Sequence, residues 1–159
     1  MDFLNLDGES RIWEPACGEM DMVRTMERLG YKVTATDIKS GVDFLTSNPI
    51  ECDWIITNPP FTIADEFIKR CRELNKPFAL LLKSQYWHAA KRLRLFSEIT
   101  PSYILPLTWR PDFLFKQQRK GSPLMDVMWC VWEPPYNGEC GYYPLKRNKC
   151  ELSDIHIAD

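Results

Sequence analysis

Residues 11–37 read RIWEPACGEMDMVRTMERLGYKVTATD, and this stretch decides the fold. Arg11-Ile12-Trp13-Glu14 is a short apolar strand candidate that runs into the small-residue turn Pro15-Ala16-Cys17-Gly18. Over 19–29, Met20, Val23, Met26 and Leu29 recur three apart while Asp21, Arg24, Glu27 and Arg28 fall on other faces, which predicts an amphipathic helix. Gly30 is a suitable stop for it. Tyr31 to Asp37 is rich in β-branched residues and reads as a second strand. Strand, helix and strand in this order are the unit of a parallel sheet.

The same alternation continues downstream. Residues 38–52 are loop-like, with turn signals Ser40-Gly41 and Asn48-Pro49 around a short strand candidate at Val42-Asp43-Phe44-Leu45. Trp54-Ile55-Ile56-Thr57 is a buried strand stopped by Asn58-Pro59-Pro60, since a residue before proline is pushed out of the helical region. A helix is predicted at 63–75, a central strand at 77–82 and a second, basic helix at 85–98. Late strands are predicted at 103–107 and 125–132, joined by a long loop at 108–124. The predicted fold class is α/β with a mostly parallel sheet. In such sheets ligands sit outside the carboxyl ends of the strands, at the point where strand order reverses. That rule places Glu14 to Gly18, Asp37 and Asn58 to Phe61 along one rim.

The chain has 159 residues, which suits a single domain spanning 1–159, with an irregular tail expected at 135–159. Hydrophobic residues are 45% and charged residues 26%, which excludes a disordered chain. No apolar run is long enough to span a membrane, and the N-terminus carries no secretory signal pattern. The cysteines at 17, 52, 71, 130, 140 and 150 form no C-x-x-C pair, and they read as reduced thiols in a cytosolic protein. Cys17, Cys52 and Cys130 sit in or beside apolar runs and read as core residues. No metal site is expected, because Cys140, Cys150 and His156 lack ligand spacing.

Net charge is −2, yet residues 83–120 carry eight basic and two acidic side chains. This contiguous positive third is a candidate nucleic-acid surface or a solvated helix face with a basic loop.

The rim residues limit the ligand. The turn after the first strand is neither a phosphate loop nor a G-x-G-x-x-G dinucleotide motif, so a carboxylate at Glu14 suits a cation better than a phosphate. Asp37, at the end of the next strand, can accept hydrogen bonds from a ribose diol. S-adenosylmethionine, an adenosine with a positive arm, meets both conditions; a nucleotide, or no ligand, remains open on this ground alone.

Four segments in order resemble the class I S-adenosylmethionine-dependent methyltransferases, specifically the phage and prophage DNA adenine-N6 type. They are Ile12-Trp13-Glu14-Pro15-Ala16-Cys17-Gly18, Ala35-Thr36-Asp37, Gly41-Val42-Asp43-Phe44-Leu45 and Ile56-Thr57-Asn58-Pro59-Pro60-Phe61. The resemblance spans about residues 11–133. It implies a Rossmann-like sheet of about seven strands, one late strand antiparallel, with helices on both faces. It also implies S-adenosylmethionine as cofactor and N6 methylation of adenine in DNA as the reaction. Glu14, Pro15, Ala16, Cys17 and Gly18 would line the methionine arm. Asp37 and Ile38 would hold the ribose side, Asp43 and Phe44 would flank the cofactor adenine, and Asn58 would also border the cofactor.

By the same resemblance, Asn58, Pro59, Pro60 and Phe61 carry the chemistry. An exocyclic adenine amine is planar, its lone pair is spread into the ring, and it is a poor nucleophile. The Asn58 side-chain oxygen and the Pro59 carbonyl can accept its two hydrogens and free the lone pair for in-line attack. The prolines hold these acceptors in place. Phe61 can stack on the target base once it has left the helix.

The chain also departs from that family. The loop often carries a second glycine, and here Met20 stands in its place. About ten residues precede the first strand, and no separate target-recognition domain is expected. Recognition would then fall to Lys91, Arg92, Arg94, Arg110, Lys116, Arg119 and Lys120 as phosphate contacts, with relaxed or short-site specificity. Tyr86, Trp87, Trp109 and Phe113 are candidates to stack on a displaced base, or core aromatics. The partner expected is DNA, with RNA as an alternative; no membrane partner is expected, and the chain would be a monomer or homodimer. The alternative functions are the same chemistry on RNA or on a protein glutamine, and a non-catalytic methyltransferase-like binding subunit.

Overall fold

Apolar side chains alternate along the strands, and the alternation builds two cores on opposite faces of one sheet. In the computed structural model, which describes residues 2–4, 6–111, 125–136 and 138–147, the first strand β1 is Arg11–Glu14. Helix α1 (Asp21–Arg28) connects it to β2 (Lys32–Ala35). Strand β3 (Trp54–Thr57) leads through α2 (Ala64–Leu74) to β4 (Phe78–Lys83). A short helix α3 (Leu93–Glu98) precedes β5 (Tyr103–Pro106), and β6 (Val127–Trp132) and β7 (Gly141–Tyr142) complete the sheet.

Trp13, Ile55, Phe78, Leu80 and Leu82 point into one core, which Phe67, Ile68 and Cys71 of α2 cover. Ile12, Ile56, Ala79, Leu105 and Val131 point the other way, against Met22 and Met26 of α1. Two-sided burial is why β3 and β4 read as continuous apolar runs. Cys52, Cys71 and Cys130 are buried small residues of the α2-side core, while Cys17 is half-buried.

The strand order is β2-β1-β3-β4-β6-β5-β7. Strands β1 to β4 pair in parallel, and β6 runs antiparallel to both neighbours, β4 and β5. Strand order reverses at β1, so its carboxyl end and that of β3 open on a common crevice.

Three expectations are corrected. Val42 to Leu45 is a turn and not a strand; Phe44 is apolar because it fills the core, edge-on to Trp13 with centroids 5.1 Å apart. The basic helix expected at 85–98 breaks into two 3-10 turns, Ser84–His88 and Ala90–Arg92, and the six residues of α3. Its apolar spacing comes from side chains pinned elsewhere: Tyr86 donates to Asp65, and the Trp87 indole N–H contacts the Met128 sulfur at 3.1 Å. The seventh strand is therefore β7, inside the stretch expected to be irregular, where Gly141 and Tyr142 pair in parallel with Tyr103 and Ile104. No group of metal-ligating side chains and no helix able to cross a membrane occurs among the described residues, while Cys150 and His156 lie outside them.

Candidate active site

Glu14 ends β1 and is completely buried. Its Oε1 accepts hydrogen bonds from the Thr57 hydroxyl, at the end of β3, and from the Ala16 amide at 3.1 Å. Its Oε2 is buried without a partner. Burial pushes this carboxyl up to about 8, because the charged form loses its water and the hydrogen bonds only partly offset the loss.

The turn after β1 is tied to the end of β2. The Cys17 amide donates to the Thr36 carbonyl at 3.1 Å, and the Thr36 amide to the Glu14 carbonyl at 2.9 Å. Gly18 has φ +49 with open space where a Cβ would stand, so a ligand can approach the backbone closely. Asp37 closes the arrangement: its carboxylate accepts from the Lys39 amide and from the Gly18 amide, both at 2.9 Å. Chiefly the Lys39 amide, helped by the Gly18 amide and the Lys39 charge, outweighs the effect of burial and holds Asp37 below the usual carboxylate range. A carboxylate offers about four lone-pair sites, so two remain for a diol.

Asp43 stands one loop further on. Its Oδ1 accepts from the Leu45 amide at 3.0 Å, and its carbonyl takes the Thr46 and Ser47 amides. Phe44 is 2% exposed and packs 4.8 Å from Phe67. After β3 the chain turns through Asn58, buried Pro59 and exposed Pro60 into the 3-10 turn Phe61–Ile63 that opens α2. The Asn58 Oδ1 is buried and has no hydrogen-bond partner. The Lys83 ammonium lies 4.9 Å from the centroid of the Phe61 ring.

These segments share one cavity of about 430 Å³, walled by Pro15, Ala16, Gly18, Asp37, Ile38, Asp43, Phe44 and the whole of Asn58 to Phe61. That volume lies within the ordinary range of roughly 300–1,000 Å³ for small-ligand sites. Glu14 and Cys17 do not line it. Lys39, Ile63 and Phe67 also line it; sequence reasoning missed them because they follow the motifs by one turn of helix or loop. Of the residues read from sequence for this rim, the structure brings all except these two to the cavity.

The basic segment is less uniform. Lys91 is exposed. Arg94 is exposed and pairs with Glu98 at 2.7 Å, and Arg110 pairs with Asp126 at 2.7 Å. Arg92, read as a phosphate contact, is held inside the fold: its Nε donates to Asp65 at 3.0 Å and its guanidinium lies 3.8 Å from the Tyr86 ring centroid. Burial raises Asp65, but hydrogen bonds from Tyr86 and Arg92 outweigh it and hold the carboxyl below its ordinary value. Tyr86 is buried, Trp87 stacks on Phe96 at 4.0 Å, and Trp109 lines a different, apolar cavity. Tyr86 and Trp87 are thus engaged within the fold, and Trp109 stands away from the Asn58 to Phe61 cavity. Lys116, Arg119, Lys120 and Phe113 lie outside the described residues.

No protein-family model matches the chain, and no curated protein matches it. Solved structures do. A Listeria monocytogenes protein assigned to the class I S-adenosylmethionine-dependent methyltransferases superposes with a TM-score of 0.58 at 13% identity, over 89% of this chain and 60% of that one. A Vibrio vulnificus protein assigned as the modification subunit of a type I restriction enzyme gives 0.54 at 13% identity, over 94% of this chain and 45% of that one. The 23S rRNA methyltransferase ErmE gives 0.54 at 14% identity, over 87% of this chain and 67% of that one. The chain thus spans about half the length of the first two. Its seven-stranded sheet, with β6 antiparallel and the crevice at β1 and β3, has the fold of the class I S-adenosylmethionine-dependent methyltransferases.

Proposed function

We propose that this chain transfers a methyl group from S-adenosylmethionine to the exocyclic N6 amine of adenine in DNA. The observation that carries the reading is the buried, unpartnered Oδ1 of Asn58, a residue that lines a cavity also presenting Asp37. Buried polar oxygens are almost always paired, so an orphan at a cavity wall marks an acceptor waiting for a donor.

The residues present fit the cofactor. Asp37 has lone pairs for the ribose hydroxyls, and Gly18 leaves its backbone open to close approach. When bound, the cofactor supplies an electrophilic methyl on a sulfonium. The chain's own part is to hold the acceptor. Asn58 Oδ1 and the Pro59 carbonyl accept the two amine hydrogens, which draws the nitrogen lone pair out of the ring. With its lone pair freed in this way, the nitrogen would accept the methyl that the sulfonium supplies and would shed one proton to solvent. Phe61 supplies the apolar face for an extruded base.

The test is mass spectrometry of nucleosides from plasmid DNA incubated with the protein and S-adenosylmethionine. N6-methyladenine is expected, and Asn58→Ala should abolish it while calorimetry still records cofactor binding. Cofactor binding with no methylated DNA, but labelled RNA or protein, would replace the substrate; no cofactor binding would replace the reading with a non-catalytic subunit.

A further inference from the structure

Lys83 ends β4, one strand over from the catalytic turn, and is half-buried. Its register partner is Val127 at the start of β6, and the next amide, Ser84, is bonded to the Asp126 carbonyl at 2.9 Å, so its backbone is tied to the β6 side. The three arginines that follow, Arg92, Arg94 and Arg110, each have a carboxylate partner. Lys83 has none within ion-pair distance among the described residues, and its ammonium rests over the Phe61 ring instead. A lysine drawn against apolar surface keeps its charged head in water or beside an acid. This one has only a ring that walls the cavity.

We infer that Lys83 contacts a backbone phosphate of the extruded nucleotide, which makes it a substrate-positioning residue for nucleic acid. The inference rests on the adenine methyltransferase reading above. If Phe61 stacks on the target base, the sugar and phosphate of that nucleotide must leave the cavity beside the same ring. A lysine is a compact point charge on a flexible stem, suited to one phosphate oxygen rather than to a planar, two-point partner. A protein glutamine would carry no charge at that position, so the contact favours nucleic acid over a peptide. Lys83 belongs to the positive stretch 83–120 but was not among its residues read as phosphate contacts, two of whose described arginines already have exposed acidic partners.

The experiment measures binding of the protein to a duplex oligonucleotide by fluorescence anisotropy across a salt series, with methyl transfer measured in parallel. Each phosphate contact contributes about 0.9 to the slope of log affinity against log salt, so Lys83→Gln is expected to lower that slope by about 0.9. It should also raise the KM for DNA with kcat and cofactor affinity little changed, and Lys83→Arg should restore both slope and KM. An unchanged slope in Lys83→Gln overturns the inference, as does loss of cofactor binding together with kcat, which would make Lys83 a structural residue. Absence of DNA binding by the unaltered protein overturns it too. The slope is read without turnover. A lowered slope with no methyl transfer upholds the contact and rejects the catalytic reading, while transfer with an unchanged slope does the reverse.

Discussion

Replacing Glu14 with glutamine should remove most of the pH dependence of folding stability between pH 5 and pH 7.5. In the fold its carboxyl is completely buried and titrates at about 8 against an ordinary value of 4.5. The folded chain therefore keeps a proton that the unfolded chain has lost throughout this window. Stability is highest below the unfolded value and falls as pH rises toward the folded one. At about 1.36 kcal/mol per pH unit, the loss from pH 5 to pH 7.5 is about 3 kcal/mol. Asp37 and Asp53 do not confuse the result. Their values are lowered, Asp53 to about 2 through Arg11, so their effects fall below the window. Urea unfolding at several pH values reads the difference directly, because 3 kcal/mol moves the midpoint by more than about 1 M for an ordinary slope. Glu14→Gln keeps an acceptor for the Thr57 hydroxyl and carries no proton to lose, so its midpoint should stay level. A flat profile for the unaltered protein would refute the reasoning.

Two further outcomes are expected. Met20 stands at the entry to α1 with φ 64, a left-handed conformation that costs a side chain about 1–2 kcal/mol. Glycine removes that cost and adds roughly 0.5–1 kcal/mol of unfolded-state entropy, so Met20→Gly should stabilise modestly in a denaturant titration and Met20→Ala should not. A destabilised Met20→Gly would mean that the methionine side chain matters more than its backbone. Arg92→Ala should cost about 1.5–3 kcal/mol, the worth of hydrogen bonds to a charged group, because it strips Asp65 of a partner within the fold. Its DNA salt slope should match that of the unaltered protein; a reduced slope would return Arg92 to the phosphate surface.

What could be read in the sequence depended on how local the signal was. The β1–α1–β2 unit and β3 were legible because each is built from adjacent residues whose apolar spacing matches its own period. The rim followed from them, since a strand's carboxyl end is known once the strand is known. Phe44 misled because an apolar residue in a turn leaves the same trace as one in a short strand, and only Trp13 and Phe67 reveal which it is. Arg92 misled for a related reason: charge is visible in sequence, but Asp65, 27 positions away, is not visibly its partner. β7 has two residues and is held by Tyr103 and Ile104, so no window centred on it could carry a period. The orphaned Oδ1 of Asn58 is a property of the folded surroundings alone.

The antiparallel strand has a consequence for how the chain is made. β6 lies between β4 and β5, so β5 leaves the ribosome with no neighbour to pair with until residues 127–132 follow. By then residues 11–83 can already align β2, β1, β3 and β4, each next to a partner that precedes it or follows closely. Glu14, Asp37 and Asn58 all belong to that early half. The nascent chain can therefore assemble the ligand-facing rim while the outer edge of β4 is still open, and β6 is then added to a sheet that already carries its chemistry.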